Sequence, residues 1–144
     1  MKPREIRKDL IKSKIKDIID SVNIVGDNFP ENFQDFSMLG LVKEGIYKKM
    51  EFAIESIIDI CNIINSDLEL GAPESEEQIL IHLEKSKIFD KKILKLISEM
   101  KKFRNVLVHK YGDIDDKKAY EDIKEGLKDF EHIINEIEKF LKKY

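Results

Sequence analysis

Apolar residues recur at three- and four-residue steps through most of the chain, the spacing that gathers side chains on one face of an α-helix. Ile6, Leu10, Ile11, Ile15, Ile18, Ile19 and Val22 draw such a face over residues 4–25. Gly26-Asp27-Asn28, with Pro30 beyond, predicts the end of that helix, because glycine terminates helices readily and proline cannot continue them. A second stripe, Ile46, Met50, Ala53, Ile57, Ile60 or Cys61, and Ile64, predicts a helix over residues 37–65. Ile54 and Ile58 widen it enough to imply burial against more than one neighbour. Gly71-Ala72-Pro73 breaks the chain, and Ser75 followed by Gln78 is a capping-box signature for a short third helix reaching residue 85. Asp90 can cap a fourth helix carrying Ile93, Leu94, Ile97, Met100, Phe103 and Leu107, with its end expected at Gly112. The acidic turn Asp113-Ile114-Asp115-Asp116 suits the start of a last helix. That helix bears the most regular seam in the chain, Ile123, Leu127, Phe130, Ile134, Ile137 and Leu141.

These elements predict an all-α fold: an antiparallel bundle of four long helices with a short one appended, in a single domain over residues 1–144. Composition agrees with this reading. The 144 residues are 42% hydrophobic and 38% charged, with 6 Gly and 3 Pro, a balance that favours long surface helices over a turn-rich β protein. The net charge of −3 provides no general attraction to a polyanion, so any nucleic-acid contact must rest on a local basic patch. A lone cysteine, Cys61, allows neither an internal disulfide nor a thiolate zinc cage. The charged first ten residues and the lack of an apolar run of about 20 residues argue against a secretion signal or membrane anchor, and make the cytoplasm the default location.

The segment Phe103-Arg104-Asn105-Val106-Leu107-Val108-His109-Lys110-Tyr111-Gly112 departs from the pattern, because groups able to act on a phosphate are set into a core-forming helix. Arg104 can offer its planar fork to phosphate oxygens, and it stays charged at any relevant pH. His109 can transfer protons, Asn105 can orient a ribose or phosphate oxygen, and Tyr111 can stack on a base. Lys101, Lys102 and Lys110 flank these residues, where they could guide an RNA backbone. On an ideal helix, however, His109 sits about 140° round from Arg104. Convergence then requires either a loosened last turn or a second copy of the motif across a two-fold axis.

The same stretch resembles the Arg-Asn-x3-His-x-Tyr signature of HEPN-superfamily proteins of the HepT group. The similarity extends to residues 53–60, to Pro73-Glu74-Ser75 and to the acidic turn at 113–116, covering about residues 4–142. It implies a helical homodimer with both motifs in the interface cleft and metal-independent endoribonuclease activity without a cofactor. Arg104 and His109 would be catalytic, and Asn105 and the three lysines would bind substrate. It further implies a toxin–antitoxin pairing in which a minimal nucleotidyltransferase antitoxin transfers AMP onto Tyr111, with the homodimer able to assemble further with that partner.

Blander readings stand beside these. Arg104 and His109 can be a surface cation and a half-buried histidine, the commoner fate of both residue types, and the chain can be a non-catalytic HEPN module that binds and regulates a nucleotidyltransferase. His82 and His132 have no partner at metal-ligand spacing and are expected on helix surfaces. Glu51, Glu55, Asp59 and Asn62 form a polar stripe read as a solvated face, as are the pairs Lys48-Lys49, Lys91-Lys92, Lys101-Lys102 and Lys142-Lys143.

Overall fold

A computed structural model describes residues 5–110 and 112–144, and every regular element among them is helical. Four long helices, α1 (Lys8–Asn28), α3 (Leu41–Asp67), α5 (Lys91–His109) and α6 (Asp116–Lys143), are joined by two short ones, α2 (Phe33–Ser37) and α4 (Glu76–Lys85). Four side-chain contacts fix how α1, α3 and α6 run. Arg7, just before α1, binds Asp67 at the end of α3, and Lys14 binds Asp59, so α1 and α3 are antiparallel. Tyr120, early in α6, donates its hydroxyl to Pro30 O just beyond α1 at 3.0 Å, which sets α1 antiparallel to α6. Lys43 of α3 reaches Asp116 of α6, so these two helices begin at the same end of the bundle.

The apolar stripes meet in one core. Ile11, Ile18, Ile57, Ile60, Ile64, Ile97, Ile123 and Ile137 are each at most 1% exposed, and removing any one of them would cost about 2–5 kcal/mol by the cavity it leaves. Burial of Ile54 and Ile58 beside the main stripe of α3 reflects the contacts of that helix with α1, α4 and α5. On α6 the seam is broader than its sequence spacing suggests. Ile133 and Phe140 are buried, whereas Leu127 and Ile134 lie at its edge.

Helix ends differ from the sequence pattern in physically instructive ways. Helix α1 runs through Gly26, which is solvent-exposed, to Asn28, whose side chain donates to Ile24 O at 2.8 Å. The stop comes from Pro30, which forces Phe29 into an extended conformation. The helix expected over 37–65 is preceded by a separate element, α2, capped by Asn32 through Asp35 N. Gly40, at φ 59°, separates the two. Five residues are too few to show a period, and α2 is held instead by Phe36, fully buried among Phe29, Phe33, Tyr47 and Tyr120. Ser75 and Asp90 cap α4 and α5 as their positions predict, and within the acidic turn 113–116 it is Asp115 that caps α6. Among the described residues no helix is long and apolar enough to cross a membrane.

Candidate active site on the last turns of α5

Helix α5 presents its motif where the bundle opens towards α4 and the loop leading to α6. The helix ends at His109, three residues before the expected stop, and Lys110 N bonds Val106 O at 3.0 Å. The chain then turns through Gly112, whose φ of 93° suits glycine, with Asp113 N on Lys110 O at 2.8 Å. Tyr111 lies outside the described residues.

Arg104 is not a free surface cation. Its side chain is 12% exposed, and the guanidinium donates to both carboxylate oxygens of Glu76 on α4, Nη2 to Oε1 at 2.6 Å and Nη1 to Oε2 at 3.2 Å. Asn105 Oδ1 accepts from Nε at 3.1 Å and from Nη2 at 2.9 Å. Asn105 therefore orients the arginine in this state, whereas the sequence suggested that it faces substrate. The hydrogen bond to Glu76 raises the arginine pKa despite burial, with Glu55 and Glu51 of α3 adding to the effect. The same bond holds the Glu76 carboxyl below its ordinary range.

Lys101 corrects the reading of the lysine pairs as solvated. It is buried, and its Nζ donates to Glu77 Oε2 at 2.6 Å, a bond that depresses the Glu77 carboxyl. An ammonium so engaged is not free to guide an RNA backbone. Lys102 and Lys110 are exposed, as is His109, which has no side-chain partner among the described residues. The structure thus brings Arg104, Asn105 and Lys101 together under α4 and leaves His109, Lys102 and Lys110 exposed, with Lys102 at the groove between α5 and α6. Glu76 and Glu77 escaped sequence reasoning because acidic residues in a helical first turn are explained by the helix dipole alone.

The stripe on α3 is likewise not wholly solvated, since Glu51 is half-buried and pairs with Lys48 at 2.8 Å. His82, expected on a surface, is half-buried with its Nδ1 2.8 Å from Oδ1 of buried Asn65, while His132 is exposed. A groove of about 330 Å³ runs beside the motif between α5 and α6, floored by Met50, Leu96, Phe103 and Ile114 and edged by Glu99, Asp122, Glu125 and Asp129. Among the described residues no three His, Cys, Asp or Glu side chains are grouped as metal ligands.

A family model described as Ribonuclease HepT-like matches residues 9–137. The chain belongs to that family. Its similarity to the mRNA nuclease HepT of Shewanella oneidensis is 26% identity over 104 residues, 72% of this chain and 75% of the relative. Solved structures of the same fold superpose closely. A toxin–antitoxin crystal structure with AMP-PNP gives a TM-score of 0.82 at 22% identity, over 91% of this chain and 98% of that one. The tri-AMPylated HEPN toxin of Shewanella oneidensis in complex with its MNT antitoxin gives 0.81 at 23%, over the same shares. YutE of Bacillus subtilis, a cytosolic protein of unknown function, gives 0.77 at 18% identity, over 96% of this chain and 92% of that one.

Proposed function

We propose that this HepT-like chain is a metal-independent endoribonuclease, the toxin of a toxin–antitoxin pair, which cleaves RNA at a site shared by two copies. The observation that carries the reading is the placement of Arg104 and His109 on the last turns of α5, inside a HepT-like frame that spans residues 9–137. A ribose 2′-hydroxyl attacks the adjacent phosphorus, the bond from phosphorus to the 5′-oxygen breaks, and a 2′,3′-cyclic phosphate remains. One His109 takes the hydroxyl proton, and the partner subunit's His109 returns a proton to the leaving oxygen. Arg104 stabilises the charge that builds on the phosphoryl oxygens.

In this reading the partner is a nucleotidyltransferase antitoxin that silences the toxin by transferring AMP onto Tyr111, which the similarity to a tri-AMPylated HEPN toxin in complex with an MNT antitoxin supports. The test is cleavage of bulk RNA in the presence of chelator by wild type, Arg104→Ala and His109→Ala, after mass spectrometry has excluded AMP on Tyr111. Wild type is expected to cut and both variants to be at least about a hundredfold slower, the scale of losing a general acid–base group. Equal rates in all three, or none in unmodified wild type, would remove the ribonuclease reading.

One observation favours a second reading, a non-catalytic module that regulates the nucleotidyltransferase: Arg104 is already engaged by Glu76 and Asn105. Tyr111 adducts, together with unaffected growth on expression of the untagged chain, would select it. Growth arrest that needs His109 would select the toxin.

A further inference from the structure

The guanidinium of Arg104 has five N–H groups and two edges that can donate a parallel pair. The end-on edge, Nη1 with Nη2, is filled by the Glu76 carboxylate at 3.2 and 2.6 Å. The side edge, Nε with Nη2, is filled by Asn105 Oδ1 at 3.1 and 2.9 Å. Four N–H groups are thereby engaged, one on Nε, two on Nη2 and one on Nη1, and the single N–H left on Nη1 cannot form the two-pronged contact by which arginine grips a phosphate. One incumbent has to leave before a phosphate enters.

The two incumbents are unequal. Asn105 is neutral, adjacent in sequence and on the same helix, so its contact survives the arrival of an anion. Glu76 is negative, lies in the first turn of the ten-residue helix α4, and keeps 41% of its side chain exposed, so it can swing into water. A carboxylate also matches two oxygens of a phosphate in shape and charge. Its neighbour Glu77 neutralises Lys101 in the same way, and Glu51 and Glu55 add negative potential at Arg104. An incoming phosphate therefore meets a site whose buried cations are already balanced.

We propose that Glu76 stands in for the scissile phosphate, closing the end-on edge of Arg104 until RNA displaces it, so that RNA and the carboxylate compete for one guanidinium. This inference rests on the reading of Arg104 as the phosphate-binding residue. Glu76 sets how tightly RNA is held, and the exchange makes the site selective for a ligand with two phosphoryl oxygens and enough flanking backbone to offset the lost ion pair.

The test uses the full chain and a fully 2′-O-methylated RNA oligonucleotide, which lacks the attacking hydroxyl and so binds without being cut. Affinity is read by fluorescence anisotropy over a range of salt concentrations. Glu76→Ala should bind about tenfold tighter than wild type, the scale of freeing a charge-assisted hydrogen-bonding edge. Its log–log salt slope should stay at the wild-type value, because once Glu76 has been displaced both proteins make the same phosphate contact through Arg104. Glu76→Gln, which preserves shape and removes charge, should fall between the two and covers the case of an unstable alanine variant. Arg104→Ala should bind weakly, and adding Glu76→Ala to it should bring no gain. Unchanged or weaker binding by both Glu76 variants, with Arg104→Ala still weakened, overturns the competition and leaves Glu76 as a support for the arginine. The same gain from Glu76→Ala with and without Arg104 overturns it as a general charge effect. Wild-type affinity in Arg104→Ala removes the phosphate-binding reading itself, and this inference with it.

Discussion

Arg104 and His109, five positions apart on α5, meet opposite surroundings: the guanidinium is sunk against Glu76 of α4, and the imidazole is open to solvent. The 3.6-residue turn places the two side chains about 140° apart, and the helix stays regular through His109. One chain therefore cannot aim both at one phosphorus atom, and activity should belong to a symmetric pair. Sedimentation is expected to give twice the 16.9 kDa of one chain, and the cleavage rate per chain should fall on dilution below the dissociation constant of the dimer. Full specific activity from a monomer would refute a shared site.

Near the motif loop, Asp116 joins α6 to α3. Tyr47 donates its hydroxyl to Asp116 Oδ1 at 2.6 Å, and Lys43 Nζ lies 2.7 Å from Oδ2. Burial, then the bond to Asp116, pushes the Tyr47 phenol far above its ordinary range. Burial alone would raise the Asp116 carboxyl, but the bonds from Lys43 and Tyr47 outweigh it and leave the pKa depressed. A depressed carboxyl stabilises the fold above its unfolded value of about 3.9, and that contribution disappears as pH falls through the lower folded value. Asp116→Asn should accordingly lose about 1–2 kcal/mol at neutral pH. In urea titrations the gap from wild type should close below about pH 3.9; a gap that persists in strong acid would point to lost packing.

The opposite sign is expected across the groove between α5 and α6. Asp122 and Asp129 have raised pKa values, both chiefly from burial, with Glu121 adding to the first and Glu125 to the second. Neither has an ion-pair partner among the described residues. Ionising such groups destabilises the folded chain, and the penalty appears as pH rises above the unfolded value of about 3.9. Asp122→Asn and Asp129→Asn should each stabilise the protein by up to about 1 kcal/mol at pH 7, with no gain at pH 3. Thermal unfolding at the two pH values measures this, and a gain of equal size at both would assign it to packing.

Much of this architecture is legible in sequence because long helices repeat their burial pattern many times. The stripe from Ile46 to Ile64 and the caps Ser75, Asp90 and Asp115 each announce an element locally. Helix α2 does not, because Phe33 and Phe36 are fixed by Tyr47 and Tyr120 from distant parts of the chain. The site follows the same rule. Arg104, Asn105 and His109 stand out as polar residues in a core-forming helix, whereas the engagement of Arg104 by Glu76 and of Lys101 by Glu77 spans 28 and 24 residues and has no local signature. Periodicity reports which face of a helix is buried; it carries no information about which charge waits on the neighbouring helix.

The α4 helix owes its position to Asn65. This residue is 1% exposed on α3, donates Nδ2 to Gly71 O at 2.9 Å, and holds His82 Nδ1 at 2.8 Å through Oδ1, an acceptor that makes Nδ1 the donor of that bond. Gly71 has φ 121°, and a Cβ added to it would stand 3.3 Å from His82 Cε1, so strain and crowding both oppose a larger residue. Asn65→Ala breaks two part-buried hydrogen bonds at once and should cost about 2–3 kcal/mol in urea unfolding. The effect should reach the candidate site, because α4 carries both Glu76 and Glu77 to α5. Amide hydrogen exchange in residues 76–85 should accelerate in Asn65→Ala by more than in α1. Uniform acceleration across the chain would mean that Asn65 supports the bundle as a whole and has no particular hold on the helix that faces Arg104.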